Sequence, residues 1–153
     1  MIDTTRKLSK SILHDIIKSC INYYPHEIIE ICKTIPSVKN SNILKETCWS
    51  FVESREEVPN VKQRQADVVW FYKDKDLNPF YIVHEIKTGA YDINEIYKKY
   101  HTGMTVQIWI WSLHNFYPNP RPNIKVIPIS YISGFVTEHV REALFILNGE
   151  LYE

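Results

Sequence analysis

Two strand-like runs separated by a short polar turn constrain this chain more than any other feature. Gln65 to Tyr72 reads QADVVWFY, and Phe80 to Gly89 reads FYIVHEIKTG. Both are rich in β-branched and aromatic residues, which suit a pleated, half-buried surface. Lys73 to Pro79 between them, KDKDLNP, supplies the Asp, Asn and Pro of a turn. The pair predicts a β-hairpin whose loop is centred near Asp76. An antiparallel register about that centre sets Asp67 opposite Glu85 or Ile86. Strand side chains alternate, so Glu85 and Lys87 share one face and His84 takes the other. One hairpin is thus expected to gather two carboxylates and an ammonium. Adjacent carboxylates repel unless a proton or a cation sits between them. A hard divalent metal with oxygen ligands relieves that repulsion.

Ala66-Asp67 with Glu85-Ile86-Lys87 resembles the signature of the PD-(D/E)XK nuclease superfamily, with Ala66 where the name has proline. The phrases RQADVV and HEIKTG look like those of small archaeal and archaeal-virus members, and the resemblance is specific over residues 48 to 112. Chance alone gives about one to two acid-x-Lys triplets in a chain of this composition. Glu85-Ile86-Lys87 is the only one here, and it ends an apolar strand opposite a strand-borne Asp. The resemblance implies an α/β restriction-endonuclease-like domain, a mixed β-sheet flanked by helices. It implies Mg²⁺- or Mn²⁺-dependent hydrolysis of nucleic-acid phosphodiesters, DNA rather than RNA. Such enzymes serve repair, recombination, restriction or viral genome processing. Asp67, Glu85 and the backbone carbonyl of Ile86 would hold the metal, and Lys87 would hold the attacking water or a phosphate oxygen. A third acid is usual. Glu46, Glu53, Glu56 and Glu57 compete for it, and alternation prefers Glu53 or Glu57. Lys62, Arg64, Lys98, Lys99 and Arg121 are the candidate phosphate contacts. Homodimerisation and the choice between endo- and exonuclease stay open.

Composition narrows the alternatives. A chain of 153 residues with 44% hydrophobic and 13% aromatic content is expected to form one domain with a substantial core. The formal net charge is zero, so any nucleic-acid contact has to come from a local patch. Cys20, Cys32 and Cys48 lack C-x-x-C spacing and leave at least one thiol unpaired. That pattern fits reduced, buried cysteines of an intracellular protein, cytoplasmic or, for a viral protein, in the host cytoplasm. It provides no four-cysteine iron–sulfur set. No signal peptide and no membrane-spanning apolar run is read. With four glycines there is no phosphate loop, and neither an HExxH zinc motif nor a G-x-S-x-G elbow is present.

The rest of the chain reads as N-terminal helices over about 8–48, an α/β core over about 49–133 and a closing helix over about 136–148. Helices are expected over Leu8–Ile21 and His26–Thr34, with Pro25 in the first turn of the second. Ser41 or Asn42 would cap a third, short helix reaching about Trp49. Ser50–Val58 is ambiguous between helix and strand, and a strand from about Trp49 to Val58 is favoured. Asp92 would cap a helix from Ile93 to about Thr102 that turns Ile93, Ile96, Tyr97 and Tyr100 inward and Lys98 and Lys99 elsewhere. Val106–Trp111 is apolar on both faces, a central strand with buried Trp109 and Trp111. Asn123–Ile132 is an edge or bulged strand interrupted at Pro128. His14 and Asp15 read as surface residues, and His84 and Tyr100 as core. The rival functional reading is a non-catalytic nucleic-acid-binding or partner-binding module on the same fold. The intact Asp67, Glu85 and Lys87 set argues against it; zero net charge and the unsettled third acid argue for it.

Overall fold

The computed structural model describes residues 10–36, 38–39, 41, 44–45, 47–55, 66–100, 106–114, 116 and 123–139, with the backbone alone over 47–51. The fold is α/β, a mixed, open five-stranded sheet in the order β1-β2-β3-β4-β5. Helices α1 (Lys10–Tyr23) and α2 (Pro25–Cys32) precede β1 (Thr47–Arg55). The hairpin β2 (Val68–Asp74) and β3 (Pro79–Lys87) follows, then α3 (Ile93–Tyr100), β4 (Val106–Ser112) and β5 (Ile124–Pro128). A 3₁₀ turn over Ile129–Ile132 leads into a helical segment, 133–139. β1, β2 and β3 pair antiparallel; β3, β4 and β5 pair parallel. The change of direction falls at β3, and α3 makes the crossover that a parallel β3–β4 pair requires.

Alternation along the strands builds two cores, one on each face of the sheet. Val68, Trp70, Tyr72, Ile82, Ile86, Trp109 and Trp111 face α1 and α2, where they meet Ile17, Ile21, Ile28 and Ile29. The indole of Trp70 donates to the carbonyl of Ile21 at 3.0 Å, tying α1 to β2. Val69, Val83, Ile108, Ile110 and Val126 face the other way and pack against Ile96 and Tyr100 of α3. Asp92 caps α3 as its position predicts: Oδ1 accepts the Asn94 amide at 2.9 Å. Asp74 shapes the hairpin loop by accepting the amides of Asp76 and Asn78 at 2.9 and 2.8 Å. Leu77 completes that loop in the left-handed region, at φ 65°.

Several boundaries differ from expectation. No helix reaches Trp49, because β1 begins at Thr47; of the expected third helix, 44–45 are helical among the described residues. Thr47 and Cys48 pair with Asp74 and Lys73 of β2, and this strand pairing overrides the local helical pattern. A register shift between Cys48 and Glu53 then bends the strand. β4 lies inside the sheet as expected, paired on both sides by β3 and β5, with Trp109 and Trp111 fully enclosed. The last strand is an edge strand that stops at Pro128, not at Ile132. Of the expected closing helix, residues 140–148 lie outside the described residues. Cys20 and Cys32 are buried free thiols, and burial pushes them up to about 11 and about 12. Among the described residues, no helix is long and apolar enough to cross a membrane.

Candidate functional site

The hairpin register pairs Val68 with His84 and Val69 with Val83. Extended by one residue, it sets Asp67 across from Glu85 at the C-terminal end of β3. Asp67 lies just before β2 begins, and its Oδ2 accepts the Ile86 amide at 2.8 Å. Glu85 is 3% exposed. Its Oε1 accepts from the hydroxyl of the fully buried Tyr100 and lies 3.2 Å from Nζ of Lys99. Oε2 is 3.8 Å from Nζ of Lys87, two residues along the same face of β3. Burial pushes the Glu85 carboxyl up, the donated Tyr100 hydroxyl pulls it down, Asp67 raises it further, and the two lysines oppose. The Tyr100 hydroxyl is itself held up, first by burial and then by the Glu85 charge beside it.

α1 brings a residue that the sequence reading set on the surface. Nε2 of His14 lies 3.2 Å from Asp67 Oδ1, while Nδ1 faces Asp15 Oδ1 at the same distance. The imidazole is 28% exposed and Asp67 17%. His14 therefore belongs to the site, not to the general surface. Its partner is remote in sequence, and no local pattern links the two. Tyr100 is a core residue, as its helical spacing predicts, and its hydroxyl reaches the site as well. Lys99, expected to point away from the inner stripe of α3, sends its long stem back to Glu85 (a lysine can bury its methylenes while its head stays wet).

Of the other candidates, Glu53 and Lys98 are described. Glu53 pairs with Phe71, four residues along β2 from Asp67, which at strand rise is about 13 Å from the site. It is exposed and forms an ion pair with Arg55, so it is no third acid. Lys98 is exposed, on the turn beside Lys99. Glu57, Lys62, Arg64 and Arg121 lie outside the described residues. Ile86 enters through its amide, which orients Asp67. His84 faces away, fully buried, and its Nδ1 accepts from the Trp111 indole at 3.0 Å. Burial pushes His84 down to about 3, so it stays neutral.

Among the described residues, no three imidazole, carboxylate or thiolate groups form one cluster. The donors come as linked pairs: His14 with Asp67, and Asp67 with Glu85 through the hairpin register. The two carboxylates are oxygen donors of the kind that a hard divalent cation accepts, whereas both nitrogens of His14 already face carboxylates. The negative charge of Asp67 destabilises ionised Glu85, which is the imbalance a cation corrects. No protein-family model, no curated protein and no solved structure matches this chain. The fold and the site together define an α/β protein with an acid–lysine cluster at the C-terminal end of a parallel strand. Open α/β sheets place their ligands at that end of the strands.

Proposed function

We propose that the chain is a restriction-endonuclease-like nuclease that hydrolyses nucleic-acid phosphodiesters, DNA rather than RNA, with Mg²⁺ or Mn²⁺. One observation carries the reading: the buried Glu85 sits across the hairpin from Asp67, with the Lys87 ammonium 3.8 Å from its Oε2. Asp67, Glu85 and the backbone carbonyl of Ile86 would hold the metal, with His14 beside Asp67 Oδ1 as a positioning residue. Such a metal, when bound, polarises the phosphate and lowers the pKa of water. The chain's own groups do the rest. The Ile86 amide fixes Asp67 through Oδ2 and leaves Oδ1 toward His14. Lys87 orients the attacking water or neutralises a phosphate oxygen. Tyr100 fixes Oε1 of Glu85 and so leaves Oε2 on the side of Lys87.

A specific observation favours a second reading. Glu85 already has three internal partners, as a purely structural carboxylate on a non-catalytic nucleic-acid-binding module would. Incubation of plasmid and single-stranded DNA with millimolar Mn²⁺ or Mg²⁺ separates the two. The nuclease reading expects cleavage that EDTA abolishes and that Glu85→Gln, of the same shape, lacks while remaining folded by circular dichroism. Binding of DNA without cleavage under every metal condition supports the module instead.

A further inference from the structure

Glu85 has to be compensated, because a carboxylate 3% exposed and facing a second carboxylate is costly alone. The compensation comes mainly from consecutive residues of α3, Tyr100 by its hydroxyl and Lys99 by its ammonium. The two differ in how firmly they are placed. Tyr100 is fully buried between α3 and the sheet, and its ring is part of the core. The Lys99 side chain is 31% exposed and approaches Glu85 from solvent, with Nζ 3.2 Å from Oε1 and 4.9 Å from the Tyr100 ring centroid. A cation at that place occupies the same carboxylate that a divalent metal needs.

Resting on the metal-site reading above, we propose that Lys99 is the displaceable counter-ion of this site. Without metal, its ammonium balances Glu85. When a divalent cation enters, Lys99 gives up Glu85 and turns outward, where it meets a phosphate of the nucleic acid. Its flexible stem allows both positions without moving the helix. Lys87 does not share this role. It lies on the strand with Glu85, and its ammonium is farther from the carboxylate, at 3.8 Å.

A counter-ion of this kind has opposite effects on the two ligands. The Lys99→Met variant should bind Mn²⁺ more tightly, since no ammonium has to leave, by at least roughly threefold, the upper range of an exposed pair, because the Glu85 end of this pair is buried. It should bind nucleic acid more weakly, by roughly threefold, since a phosphate contact is lost. Lys98→Met removes the same charge from the neighbouring exposed position and serves as the control. Mn²⁺ affinity is read from melting temperature against Mn²⁺ concentration, without substrate, for wild type, Lys99→Met, Lys98→Met and Glu85→Gln. Binding of a labelled DNA duplex is read by anisotropy in Ca²⁺. Tighter Mn²⁺ and weaker DNA in Lys99→Met, with Mn²⁺ affinity in Lys98→Met within twofold of wild type, is the expected result. Equal Mn²⁺ affinity in Lys99→Met and Lys98→Met, or weaker Mn²⁺ binding in Lys99→Met, overturns the proposal. If Lys99→Met does not fold, Lys99→Gln, which retains a donor, gives the same comparison. A Mn²⁺ response in wild type that Glu85→Gln leaves intact overturns the metal reading itself, and this proposal with it.

Discussion

Adjacent residues of β3 show how alternation separates two chemistries. Glu85 faces α3 and the polar cluster; His84 faces α1 and α2, between the indoles of Trp70 and Trp111 at 4.1 and 6.3 Å. Because Nδ1 of His84 accepts from Trp111, its proton sits on Nε2, which has no partner among the described residues. Burial holds its pKa at about 3, below the usual 6.5 of an unfolded histidine. Between those values the unfolded chain binds a proton that the folded chain refuses. The contribution is therefore complete above pH 6.5 and is lost as pH falls toward 3, with a slope of up to ~1.4 kcal/mol per pH unit. Urea denaturation at several pH values should show stability falling over that window in wild type. His84→Asn, which keeps an acceptor for Trp111, should flatten the slope. An unchanged slope in the variant would mean that other groups carry the acid sensitivity.

At the scale of elements, the site depends on the hairpin and on the capped helix beside it. Asp92 starts α3, and α3 supplies Lys99 and Tyr100. Asp92→Ala should cost about 1 kcal/mol of stability, as loss of an N-cap does, measured by thermal or urea denaturation. It should also weaken Mn²⁺ binding, because Tyr100 would hold Glu85 less firmly. Leu77, exposed and in the left-handed region, is a strained loop residue. Leu77→Gly should raise stability by about 0.5–1 kcal/mol with no effect on the site. A loss of stability there would show that the Leu77 side chain contributes packing. The hairpin was legible in the sequence because its signals are local: two runs rich in β-branched and aromatic residues, a turn-forming loop and one consistent centre. Asp92 as a cap was legible for the same reason. β1 was misplaced at its start, since pairing with β2 decides it and local pattern does not. His14 was missed for a related reason, as helix packing alone brings it to Asp67.

At the scale of the whole molecule, the sheet separates an apolar layer under α1 and α2 from a layer under α3 that ends in the polar site. α1 spans the two, packing Ile17 and Ile21 into the first layer and leaving His14 beside Asp67. Asp67, Glu85 and Lys87 were readable because one hairpin holds them all. The proposed phosphate contacts were less so, since surface lysines carry no pattern that tells a site from a solvated face, and Lys99 separates from Lys98 by its reach to Glu85. Everything proposed for the molecule depends on Asp67 and Glu85 forming a cation site. Melting temperature against Mn²⁺ at neutral pH, in wild type and in Asp67→Asn, tests it without substrate. Wild type should be stabilised by about 2.7 kcal/mol at a hundredfold excess over the dissociation constant. Asp67→Asn, folded and of the same shape, should lose most of that rise. An equal rise in both proteins would place the cation elsewhere and contradict the site.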